Sequence, residues 1–319
     1  SCKARTSAHW SPAERMQGHP HEHHSHRHAS HHHVFAWAMW INLAYSGIEA
    51  GFGLATNSLA LISDALHNLG DAAGLALAWG AAWMASQAPT ERHTFGWRRA
   101  TQLSPLFNAV LLVGFSGALL WEALGRFQNP PQVPGVMVMA VAGLGILVNL
   151  GTAALFLRGQ KTDLNKRGAY LHLLADAAVS LAAVLAGIGI WWRQWYWLDP
   201  LTAALVALVI GIGSWHLLKA SFMQVMDAVP ENLEKSEVEA FLAKLPGVTA
   251  VHHVHIWSLG AEEIALTAHI VRNTVDGHDG FIDGANQALQ ERFGINHATL
   301  QIELGESCHH DHHDHAPHH

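Results

Sequence analysis

The chain has 319 residues, 50% hydrophobic and 13% charged, well under the ~25% charge of a soluble domain. That deficit excludes an ordinary soluble protein and points to a membrane. A formal net charge of −7 gives no sign of nucleic acid, and two cysteines near opposite ends, Cys2 and Cys308, give no disulfide framework.

Residues 1–33 are polar and hold ten of the 27 histidines. They lack the short apolar core and cleavage site of a secretory signal, so the first hydrophobic run reads as a permanent membrane helix. About 20 apolar residues cross a bilayer core. Six such spans follow, at 34–55, 58–86, 100–126, 134–157, 168–192 and 199–222. Asn57-Ser58, Pro89, Pro130-Pro131, the run "RGQKTDLNKR" and Asp199-Pro200 separate them. Arg92, Arg98, Arg99, Arg158, Lys161, Lys166 and Arg167 gather in the 2–3 and 4–5 loops, against Arg126 and Arg193 on the other side. Positive loops stay in the cytoplasm, so both termini are expected there.

Beyond the spans, "PENLEKSEVEAFLAKLPG" reads as a helix, "VTAVHHVHIWSLG" and "EEIALTAHIVR" as strands, "DGFIDGANQALQERFG" as a helix and "HATLQIEL" as a strand. The order αββαβ predicts a small sheet with two helices on one face. The last residues hold seven more histidines in "CHHDHHDHAPHH", too polar and short to fold alone. The division expected is a His-rich disordered N-terminus (1–33), a six-helix membrane domain (34–222), a cytoplasmic α+β domain (223–305) and a His-rich tail (306–319). The two His-rich tracts suit weak, multivalent metal capture.

The second span contains "SDALHNLGD". His67 and Asp71 are four apart, on one helix face. The fifth span repeats the spacing in "HLLAD", with His172 and Asp176. An aspartate at a helix centre costs about 2.5–3.5 kcal/mol on insertion scales, so two such pairs call for a reason. Two imidazoles and two carboxylates are the donor set of a tetrahedral Zn²⁺ site. Ligands must shed protons to bind metal, so a site of this kind trades metal for protons. Asp64 lies seven before Asp71, near the same stripe, and Glu49 lies in the first span; both suit a proton or hydration path. Asn42, Asn57, Asn68, Asn108 and Asn149 read as interhelical hydrogen-bonding or capping residues.

"NSLALISDALHNLGD", "RGAYLHLLADAAVS", "RHTFGWRRAT", "KTDLNKRGAYLH" and "VHHVHIWSLG" resemble motifs of the cation diffusion facilitator family, in its zinc-transporter branch, over residues 34–305. The resemblance implies a homodimer in the lipid bilayer of a bacterial inner membrane, with a metallochaperone-like cytoplasmic domain. It implies export of divalent metal from the cytoplasm in exchange for protons, with no cofactor beyond that metal. His67, Asp71, His172 and Asp176 match the family's transport positions. In the cytoplasmic domain it points to His252, His255, His269 and Glu303 as a regulatory metal site, with Cys308 as a further donor. In a regular strand His252 faces away from His255, so not all serve one ion unless the strand bulges. Where some members carry a loop metal site, this chain has Thr90 and Trp97 beside His93, so none is expected.

The same N/O donors accept Co²⁺, Ni²⁺ or Cd²⁺, and the affinity order does not single out zinc. An intramembrane metal-dependent hydrolase needs an open metal position and a base. The chain has no HExxH and no G-x-S-x-G, and only Asp64 is placed to activate water.

Overall fold

The computed structural model of the protein describes residues 29–157, 164–260, 263–273 and 278–305. Both His-rich tracts lie almost wholly outside these, and Cys308 lies outside them. Six long helices lead: α1 (Ala29–Thr56), α2 (Leu59–Ala85), α3 (Ala100–Gln128), α4 (Gly135–Phe156), α5 (Leu164–Arg193) and α6 (Leu198–Val225). They coincide with the six expected spans to within a few residues. Among the described residues, α3, α4, α5 and α6 are long and apolar enough to cross a membrane. α1 and α2 fall below that mark because they carry the polar residues: Asn42 and Glu49 in one, Asp64, His67, Asn68 and Asp71 in the other. Glu49 and Asp64 are fully buried, so this polarity turns inward rather than toward lipid.

α4 and α5 run antiparallel in backbone contact. A Cβ at Gly135 would lie 2.6 Å from the carbonyl oxygen of Gly187, so only glycine permits the approach. α2 starts after a left-handed Asn57 (φ 54°), with Ser58 as N-cap. A second cap comes from Asp199, in the first turn of α6. Its carboxylate accepts from Leu59 N at 2.7 Å, Ala60 N at 3.3 Å and Ser58 Oγ at 2.5 Å. Asp199-Pro200, expected only to separate two spans, therefore also fixes where α2 begins, with a carboxylate at the positive end of the helix dipole. Arg126 of α3 donates to the Asn57 carbonyl at 2.8 Å, clasping the same turn.

The second region is α7 (Lys235–Leu242), β1 (Val248–Ser258), β2 (Ile264–Arg272), α8 (His278–Phe293) and β3 (Ile295–Leu304). The sheet order is β1-β2-β3, with β1 antiparallel and β3 parallel to β2. Val254, Ile256, Leu266, Ala268 and Ile270 face α7 and α8 through Val238, Leu242 and Leu289, giving the expected core on one face of the sheet. The other face carries His252, His269 and Glu303. The 2–3 loop and the start of α3 dock beside this region: Arg98 pairs with Glu263, Arg99 with Asp227 of the α6–α7 connection at 2.9 Å, and Gln102 donates to the Ser258 carbonyl at 2.9 Å.

Candidate metal centre

The i, i+4 pairs of α2 and α5 meet across the helix interface. His172 Nε2 lies 3.0 Å from Asp71 Oδ2 and 3.6 Å from Asp176 Oδ2. His67 Nε2 lies 3.6 Å from Asp176 Oδ1 and 3.7 Å from Asp71 Oδ2. Each imidazole thus faces both carboxylates. Asp71 meets both imidazoles with one oxygen, Oδ2, and Asp176 meets them with one oxygen each, so the four side chains gather around one space between the helices. Asp71 Oδ2 is buried yet has no hydrogen bond of good geometry, even at 3.0 Å from an imidazole.

The centre is reached from one side. The Asp176 side chain is 3% exposed and that of His172 49%. A cavity of about 160 Å³ touches Asp71, His172 and Asp176 and runs past Asn42 to Phe156 and Ala169, at the end of α4 and the start of α5. Those helix ends lie on the side where the 2–3 loop meets the α/β region. The opposite side is closed by a polar layer. Asp64 accepts from Ser180 Oγ at 3.0 Å and Asn68 Nδ2 at 3.3 Å. Glu49 accepts from the Tyr45 hydroxyl at 2.9 Å. A Cβ at Gly145 would fall 2.3 Å from that hydroxyl. Tyr45 and Ser180 were not picked out in the sequence; a lone tyrosine or serine in an apolar span has no periodic signature.

On the open face of the sheet, His252 Nε2 lies 3.1 Å and His269 Nδ1 2.9 Å from the two oxygens of Glu303. One donor atom from each of these residues lies within 4.8 Å of the others. Burial raises the Glu303 pKa, but hydrogen bonds from His252 and His269 outweigh it and hold the carboxyl below its ordinary range. His255, expected in this group, is not brought to it; it lines a separate cleft with Asp227 and Lys235. A bulge between His252 and His255, with His253 at φ 51°, does bring His255 to this face, but opposite Thr267, two residues along β2 from His269 and so beyond the cluster. It turns His253 toward the cluster, its ring stacked on His269 at 5.1 Å.

Residues 36–226 match the family model of the cation efflux transmembrane domain, and 230–304 that of the cation efflux protein cytoplasmic domain. The chain belongs to the cation efflux family. It is 37% identical over 289 residues to the zinc transporter ZitB of Escherichia coli K12, covering 84% of this chain and 92% of that one. It is 35% identical over 292 residues to the metal cation efflux system protein CzcD of Cupriavidus metallidurans, covering 90% of each. It is also 35% identical over 272 residues to the cadmium, cobalt and zinc/H(+)-K(+) antiporter of Bacillus subtilis 168, covering 84% and 87%.

As a member of the cation efflux family the protein is an integral membrane transporter rather than an enzyme, and the hydrolase alternative falls away. In the 2–3 loop, His93 stacks on Trp97 with ring centres 4.1 Å apart, and its backbone N–H donates to Thr90 Oγ1 at 3.1 Å.

Proposed function

We propose that the protein exports divalent metal, zinc foremost, from the cytoplasm in exchange for protons, through His67, Asp71, His172 and Asp176. One observation carries this: two His-Asp pairs from separate helices converge, each imidazole nitrogen within 3.0–3.7 Å of both carboxylates. Metal enters by the cavity on the α/β side, displaces protons from the four side chains and is released after the helices rearrange to open the far side. Protons then compete for the same atoms and reset the site. On this reading residues 34–222 are the transport unit and 223–305 the cytoplasmic unit. Both termini lie in the cytoplasm of a bacterial inner membrane, and two copies assemble through the cytoplasmic domains. His252, His269 and Glu303 hold a regulatory ion that favours one transport state by binding it more tightly. Glu49 and Asp64 serve the proton path, and the His-rich tracts gather metal. The names of the relatives keep cadmium and cobalt as second substrates.

The test is metal-driven proton flux in inverted membrane vesicles, with Zn²⁺, Co²⁺, Ni²⁺, Cd²⁺ and Mn²⁺ compared. Asp71→Ala and Asp176→Ala are expected to abolish it. Undiminished flux in both variants sinks the proposal.

A further inference from the structure

Asn149 lies mid-way along α4 with no exposed surface, and neither its Nδ2 nor its Oδ1 has a hydrogen-bond partner. Buried carboxamides with both ends unmade are rare in folded proteins. The α4–α5 register tells what it stands beside. Gly135 approaches Gly187 to Trp191, Gly145 approaches Ser180, and Phe156 packs with Leu173 and Ala169. The two antiparallel helices thus bring residue 149 level with Asp176, one turn before Ser180. Gly145, Asn149, Thr152 and Phe156 share one face of α4. That face meets α1 and α5, since Gly145 abuts the Tyr45 hydroxyl and Thr152 accepts from Asn42 Nδ2 at 3.3 Å. A fully buried amide with nothing to bond is therefore held at the height of the metal centre's most buried ligand.

We propose that Asn149 is a positioning residue of this centre: with metal bound, its Nδ2 donates to the Asp176 oxygen turned away from the ion. That bond holds Asp176 to a single metal contact. It thereby favours four-coordinate Zn²⁺ over the larger Cd²⁺, which gains more from a carboxylate that grips with both oxygens. The inference rests on the four-residue transport site proposed above and adds a selectivity role to it.

The experiment is competitive Zn²⁺ and Cd²⁺ transport by the full chain in proteoliposomes, read as the ratio of kcat/KM for the two ions. Asn149→Leu keeps the branched shape, at a larger volume, and removes both polar ends. It is expected to lower the Zn/Cd ratio about tenfold, chiefly through a higher KM for zinc. Asn149→Thr keeps a donor and is expected to recover most of that loss. An equal loss of rate for both ions at an unchanged ratio marks a structural role and overturns the proposal, as does a wild-type ratio. If Asn149→Leu fails to reach the membrane, Asn149→Ala decides by the same ratio. Asp176→Ala separates the two levels: if it still transports zinc, the four-residue site itself is wrong and Asn149 has nothing to position. If it is silent and the Asn149 variants keep the ratio, only the present inference is lost.

Discussion

The molecule gathers metal donors twice, in opposite ways. In the membrane, four side chains project from two helices, and the imidazole rings stand 6.0 Å apart around shared carboxylates. The surrounding layer is fully packed on one side and open on the other. On the α/β region, His252, His269 and Glu303 lie on three neighbouring strands, bonded to one another on the face opposite α7 and α8. The sheet cluster lies outside the helical membrane domain, and the helix cluster lies between two of its helices. The first arrangement suits adjustment to metal supply, the second passage of the metal itself.

The sharpest way to break this comparison is to remove one histidine from each cluster. His172→Ala is expected to cut zinc transport by about 100-fold or more, since losing even a residue that only supports a metal ligand costs 10–100-fold. His269→Ala is expected to leave the maximal rate within about threefold and to shift only the zinc concentration at half-maximal rate, because a regulatory ion changes populations rather than the path. Rates in proteoliposomes across a zinc titration distinguish the two. Equal loss in both variants would remove the division of roles.

This contrast also explains what was legible in the sequence. Helical periodicity converts i, i+4 into one face whatever else the chain does, so His67 with Asp71 and His172 with Asp176 could be paired before any fold was known. Six spans and the αββαβ order were readable for the same reason: apolar periods and turn residues are local. The β1 bulge was not, because one extra residue changes which histidines share a face, and nothing in "VHHVHIW" marks where it falls. The bulge keeps His255 on the face of His252 but pairs it with Thr267, two residues short of His269, and brings His253 onto His269 instead. Asp199 was seen as punctuation because its partners, Ser58 to Ala60, lie some 140 positions away, and only the packing of α6 on α2 makes it a cap.

If the membrane site is held by its scaffold, remote supports of α2 matter to it. Asp199→Ala leaves Leu59 N, Ala60 N and Ser58 Oγ without their acceptor, at an expected cost of about 2–3 kcal/mol, a lost cap compounded by orphaned donors. Thermal unfolding in detergent measures it. The companion test is the closed side. Gly145→Ala drives a methyl into the Tyr45 hydroxyl and is expected to cost about 1–2 kcal/mol by overpacking. In a Tyr45→Phe background the hydroxyl contact is gone while the ring carbon at 2.8 Å remains, so the two changes together should cost somewhat less than their sum. Simple additivity would mean that the contact does not hold the closed side together.

The smallest expected effect lies on the open face. Because the histidine bonds hold the Glu303 carboxyl below its ordinary pKa, its ionised form is favoured in the folded chain. That contribution is complete above the ordinary carboxylate range, near pH 4.3, and disappears as pH falls through the lowered folded value. Glu303→Gln should therefore lower the metal-free Tm by a few degrees or less at neutral pH. The gap from the unsubstituted chain should narrow as the medium is acidified below the carboxylate range, where Glu303 is protonated in both states. In the membrane cluster, by contrast, added Zn²⁺ should raise Tm for the Glu303→Gln chain as well as for the unsubstituted one, because the four helix-borne donors are untouched. A gap that widened on acidification would mean that Glu303 is held by something other than its two histidines. The open face would then lose its claim to be a preformed, self-bonded site.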